Sequence, residues 1–116
     1  MKINRGDIVL VNLDPATGSE QGKTRPALVI QNDIGNEFSP TTIVAPITTK
    51  IYSRQFPTNV EIDNTNSPLN EKSTILLNQI RTIDKSRIIK KYGRILDRKM
   101  AEVNEAAITS LGLERA

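Results

Sequence analysis

A mainly β protein, folded as a small, strongly bent antiparallel barrel with one C-terminal α-helix, is what this chain predicts. Short apolar runs recur between turn-forming residues from Gly6 to Ile95. Fifteen isoleucines stand against two Phe and two Tyr, which favours packing by branched side chains on pleated strands. The apolar pattern takes on helical spacing only after Asp97.

From Gly6, the run DIVLVNL reads as a strand apolar on both faces and ended by Asp14-Pro15. The loop from Asp14 to Thr24 carries most of the octet SEQGKTRP, and Arg25 to Gln31 gives a second strand closed by the turn-rich NDIGNEFSP. Thr41 to Thr48, TTIVAPIT, is a third, in which Pro46 implies an edge position or a bulge because proline has no N–H for the ladder. A polar loop with Tyr52, Arg54 and Phe56 follows, then a strand from Thr58 to Ile62 and the surface connection DNTNSPLNEK. STILLNQIRT, Ser73 to Thr82, reads as one continuous strand; Asp84 suits the cap of a short helical turn through KSRI, and IKKYGRI reads as one more strand. Met100, Val103, Ala107, Ile108 and Leu111 then mark an amphipathic helix, with Asp97 as its cap and Gly112 as its stop. No repeat, low-complexity tract or linker interrupts the chain, so a single domain over residues 1–116 with five or six strands is expected.

Composition narrows the function. No apolar run nears the roughly 20 residues that cross a bilayer, and MKINRGD lacks the apolar middle of a signal peptide, so a soluble, cytoplasmic protein without a membrane partner is expected. Cysteine and histidine are both absent. Disulfides, thiolate metal sites and a cysteine nucleophile are excluded, and any acid–base chemistry near pH 7 proceeds without the side chain that titrates there most readily. Carboxylates are scattered singly, so neither a metal nor a cofactor is expected. GxxxxGK[ST], GxGxxG and HExxH motifs are missing as well. Net charge is only +3, but Arg81 to Lys99 holds eight basic and two acidic groups. That stretch is either a polyanion-facing surface or a solvated face that promotes solubility.

Three strand-edge features remain: Glu20 with Arg25, Thr48 at the end of APIT, and Gln79 with Arg81 in NQIRT. An arginine at a strand start, followed by a proline that fixes the next φ, can be aimed, and its planar fork matches two phosphate oxygens. Taken by itself, Arg25 equally suits a surface ion pair with Glu20. Thr48 equally suits a strand for its β-branching, and Gln79 equally suits the polar face of a half-buried strand.

RGDIVLVNLDPATGSEQGKTRPALVIQND, IVAPIT and LLNQIRTIDKSRI together closely resemble the MazF/PemK family of toxin endoribonucleases, from Arg5 through the C-terminal helix. The resemblance implies an SH3-like barrel of the CcdB/PemK type and a homodimer. It also implies metal-independent cleavage of single-stranded RNA by 2′-hydroxyl attack, leaving 2′,3′-cyclic phosphate and 5′-hydroxyl ends. By the family's motifs, Arg25, Thr48 and Glu20 are the catalytic residues: Arg25 to stabilise the pentavalent transition state, Thr48 to bind a phosphoryl oxygen, Glu20 to accept the 2′-hydroxyl proton. Ser19, Gln79, Arg81, Arg5 and Pro46 are the expected substrate contacts, with Tyr52 and Phe56 as stacking surfaces. Gly18 and Gly22 are expected to let the loop close over RNA. A MazE-like antitoxin with an acidic, disordered tail is the expected partner. Two alternatives stay open, a toxin of the same fold that binds DNA gyrase without catalysis and a plain RNA-binding barrel.

Overall fold

The computed structural model describes residues 1–54 and 56–114, so the last two positions of the expected domain lie outside the described residues. Seven strands occur in the order β1 (Asp7–Asn12), β2 (Thr24–Val29), β3 (Thr41–Thr48), β4 (Asn59–Ile62), β5 (Ser73–Leu76), β6 (Arg81–Asp84) and β7 (Ile88–Arg94). A short helix α1 (Asp33–Phe38) follows β2, and α2 (Asp97–Leu111) ends the described chain. All pairings are antiparallel, and the sheet runs β4-β5-β3-β2-β1-β7 with β6 also on β3. The expected mainly β architecture with a C-terminal helix is therefore present, but the sheet does not close into a complete barrel.

β1 lies between two cores, as its double-sided apolar pattern requires. Ile8 joins Leu28, Ile47, Ile62, Ile75 and Leu77 beneath Met100, Val103 and Ala106 of α2. Val9 and Val11 pack on the other side with Leu13, Ala27, Val29, Val44 and Ile83. Alternation along one strand thus feeds both layers. On α2, Ala106 is buried while Leu111 is 55% exposed, because the inward face runs through Met100, Val103, Ala106 and Ser110 and leaves Leu111 to one side. Ser110 Oγ still donates to Leu77 O there, at 2.8 Å. Gly112 ends the helix at φ 66° as expected, but the capping residue is Leu96; Asp97 stands in the first turn without a capping bond.

Four expectations are corrected. NDIGNEFSP is not only a turn: Asn32 Oδ1 caps α1 by accepting from Gly35 N at 2.8 Å. Buried Asn36 then accepts from Thr42 Oγ1 at 2.7 Å, and these tertiary bonds hold a helix that Gly35 alone would disfavour. STILLNQIRT is not one strand either. It breaks into β5, a 3₁₀ turn over Leu77–Gln79 and β6; Leu77 is fully buried and its N–H still donates to Thr58 O, and the chain turns after it. Pro46 sits on neither an edge nor a bulge, since β3 is central. It falls where β3's outer partner changes from β6, ending at Val44↔Arg81, to β5, beginning at Ile47↔Ile75. The irregularities instead lie between β1 and β7, at Ile8/Val9 and Leu10/Val11. Finally, the basic stretch is spread over the molecule: Arg81 and Arg87 reach the β1–β2 loop, Lys85 reaches α1, and Lys91 and Arg94 reach the N-terminal segment. Among the described residues, no helix is long and apolar enough to cross a membrane.

Candidate nucleic-acid cleft and active site

The β1–β2 loop is fastened at its start by two arginines from later in the chain, and its far end is tied back to that start. Arg81 donates to Leu13 O at 2.7 Å, and Arg87 donates to Asn12 O at 3.1 Å and Asp14 O at 2.6 Å. Asp14 Oδ1 accepts from Lys23 N at 2.7 Å, and Leu13 N donates to Lys23 O at 2.9 Å. Lys23 takes up φ 63°, a left-handed conformation that costs a non-glycine residue roughly 1 kcal/mol and that the bonds on either side impose.

Between this loop and the 3₁₀ turn opens a cleft of about 690 Å³, lined by Ser19, Glu20 and Gln21 from one side and Asn78, Gln79, Ile80 and Arg81 from the other, with Pro46 also lining it. Five of the residues singled out from sequence (Ser19, Glu20, Pro46, Gln79 and Arg81) therefore meet in one place. Gln79 Oε1 accepts from Gln21 N at 2.8 Å, bridging the two sides. That bond leaves the Gln79 NH₂ group to donate into the cleft.

Arg25 and Thr48 stand at the ends of β2 and β3 and are not among the residues that line this cleft. Their strands pair through Ala27↔Pro46, Leu28↔Ala45 and Val29↔Val44. This pairing ends at Ala27↔Pro46, two residues short of Arg25 and of Thr48, and Thr48 pairs with Thr74 of β5. Arg25 is half-buried, and its Nε donates to Gly22 O at 2.8 Å while an Nη donates to Gln21 Oε1. Two of its five N–H groups are thus spent on aiming the fork, and three remain. Thr48 Oγ1 accepts from Lys50 N at 3.2 Å, which leaves its own hydrogen free to be donated. Glu20 is exposed, and its carboxylate receives Thr17 N at 3.4 Å.

The remaining predicted residues lie apart. Tyr52 and Phe56, in the loop after β3, meet edge to face at 5.9 Å, with Lys50 Nζ 4.8 Å from the Tyr52 ring. Arg5 is not brought to the cleft: it donates to Ile30 O and to Asn104 on α2, and the neighbouring Gly6 bonds Val29, at the opposite end of β2 from Arg25. Its guanidinium fastens α2 to the sheet, a long-range role that its place in the sequence does not disclose. Gly22 sits where a side chain does not fit, since a Cβ there would lie 2.7 Å from Asp14 Oδ1 and 2.9 Å from Ala16 Cβ. Gln21 and Arg87 were missed; Gln21 sits four residues before Arg25 in SEQGKTRP, the one trace the sequence offers. Among the described residues, no group of three or more carboxylates is placed to hold a metal ion.

Residues 4–111 match the family model described as "PemK-like, MazF-like toxin of type II toxin-antitoxin system". The chain belongs to this family. A relative from Staphylococcus saprophyticus, named Endoribonuclease MazF, is 51% identical over 111 residues, covering 96% of this chain and 92% of that one. Among solved structures, MazF (Form-I) from Deinococcus radiodurans superimposes with a TM-score of 0.83 at 25% identity, covering 97% of this chain and 99% of that one. A mycobacterial endoribonuclease in complex with its cognate antitoxin superimposes at 0.81 and 23% identity, over 98% and 99%, a likeness of fold.

Proposed function

We propose that this chain is a toxin endoribonuclease acting as one domain, which cleaves single-stranded RNA without a metal and is silenced by an antitoxin. The 51% identity to a relative named Endoribonuclease MazF supports the reading at the level of activity. One structural observation carries it: a half-buried arginine, aimed by two loop acceptors, beside a cleft whose walls present Gln79 and Arg81.

In the reaction, the ribose 2′-oxygen attacks the adjacent phosphorus, the P–O5′ bond breaks, the departing 5′-oxygen takes a proton from solvent water, and the products carry a 2′,3′-cyclic phosphate and a 5′-hydroxyl. Charge builds on the non-bridging oxygens. The remaining N–H groups of Arg25 and the hydroxyl of Thr48 suit those oxygens, and Arg25 acts by electrostatic stabilisation because a guanidinium surrenders its proton reluctantly. Glu20 takes the 2′-hydroxyl proton, its exposed loop position giving it access to the ribose. Ser19, Gln79 and Arg81 contact the bases and backbone of the bound strand, and the Tyr52–Phe56 pair offers a stacking surface beyond it. Substrate is single-stranded, since in-line attack and base reading both need splayed nucleotides. A homodimer and an acidic antitoxin tail lying over the same cleft complete the reading, the tail competing with RNA for Arg81 and Arg25.

Labelled single-stranded RNA incubated with the purified protein in EDTA tests this. Fragments ending in cyclic phosphate are expected, and a 2′-deoxy substitution at the scissile nucleotide should stop cutting. Intact RNA would leave only a binding protein or a gyrase-directed toxin.

A further inference from the structure

Gln21 makes two of the three interactions that tie Arg25 to the cleft, and its neighbour Gly22 makes the third. The Gln21 side-chain oxygen accepts from the Arg25 guanidinium, its backbone N–H donates to Gln79 Oε1 at 2.8 Å, and the carbonyl of the next residue, Gly22, accepts from Arg25 Nε at 2.8 Å. A guanidinium on a long stem is otherwise free to sample many rotamers, and each acceptor placed on it removes some of that freedom before substrate arrives. Gln79, on the far wall of the cleft, is in turn held by the same residue.

We propose that Gln21 is a positioning residue for RNA cleavage, locking Arg25 in the orientation that meets the phosphorus and joining that orientation to Gln79 across the cleft. The inference rests on the proposed ribonuclease reading and adds to it a residue that touches neither phosphorus nor ribose. Its chemistry is specific. An oxygen acceptor at this distance, amide or carboxylate, holds the guanidinium in one orientation, whereas a thioether accepts too weakly to do so. A base that bonds the free amide hydrogens of Gln79 therefore docks against a group already connected to Arg25 through one residue, so recognition at the cleft and placement of the fork are set together.

The test is steady-state cleavage of a single-stranded oligonucleotide spanning one mapped cleavage site, by Gln21→Met, Gln21→Glu and Arg25→Ala beside the wild type. Methionine keeps the length and removes the oxygen acceptor. Its kcat should fall about 10- to 100-fold, the scale of a lost hydrogen bond to a charged group, with KM within about twofold and an unchanged melting temperature. Gln21→Glu restores an acceptor and should regain most of that loss. If Arg25→Ala is inactive while Gln21→Met keeps the wild-type kcat, or if Gln21→Glu is as slow as Gln21→Met, the positioning role is overturned and the ribonuclease reading stands. If Arg25→Ala cuts at the wild-type rate, the roles of Arg25 and Gln21 both fall, and if the wild type itself leaves the oligonucleotide intact, the ribonuclease reading falls.

Discussion

Gly22→Ala should disable the enzyme without unfolding it. The added methyl would stand 2.7 Å from Asp14 Oδ1 and 2.9 Å from Ala16 Cβ, both well inside contact distance. Asp14 cannot simply swing aside, because the same oxygen accepts Lys23 N, and Ala16 Cβ moves only with its backbone. Relief therefore shifts the loop, at a cost of about 1–3 kcal/mol, the usual range for overpacking. The shift carries Gly22 O away from Arg25 Nε and Gln21 with it. A misplacement of roughly 1 Å at a reacting centre costs on the order of 100-fold in rate, so kcat should drop by about that factor while the melting temperature falls by about 4–12 °C. Gly18→Ala is the control: nothing lies within 4 Å of its added methyl, and the strain is that of φ +57° alone, about 1 kcal/mol, at the opposite end of the octet. It should cut RNA within a few-fold of wild type. A Gly22→Ala variant that cleaves at the wild-type rate would refute the idea that loop packing aims Arg25.

Other outcomes follow from the core and the caps. Leu77→Ala, at a side chain with no exposed surface, should lose about 2–5 kcal/mol in urea unfolding. Asn36→Ala leaves the Thr42 hydroxyl and the Gln31 carbonyl without their partner and should lose about 1–3 kcal/mol by the same measurement. Asp33 is held below the ordinary carboxylate range first by the Arg5 backbone N–H and then by the Asn36 amide, and Asp84 first by the Ser86 hydroxyl and then by its backbone N–H. Because folding lowers both, their contribution is complete above the unfolded carboxylate value near 4 and is lost as pH falls through the lowered values. Melting temperature should therefore fall from pH 5 to pH 3, and Asp33→Asn should make that fall shallower.

Local signals marked most elements because their causes were local. The two-sided apolar run of β1, the Asp84 cap of the turn over Lys85–Arg87 and the stop at Gly112 each depend on neighbours in sequence. What escaped depends on contacts made across the fold. Asn36 needs Thr42 and Gln31 to support α1, Leu77 is buried by residues far from it in sequence, and Pro46 is tolerated at the centre of the sheet because two partner strands meet there. The same division holds at the cleft. SEQGKTRP and NQIRT named the two walls, and the residues they supply do line one cavity. The Gln21 bridge and the withdrawal of Arg5 to α2 depend on side-chain partners that adjacency in sequence does not reveal.

The most direct measurement is the single-turnover cleavage rate of Arg25→Ala in EDTA, taken beside its melting curve. The account predicts a wild-type melting temperature with cleavage at least ~100-fold slower, the loss expected when one donor to a developing oxyanion is removed. A folded Arg25→Ala protein that cuts RNA as fast as the wild type would contradict it.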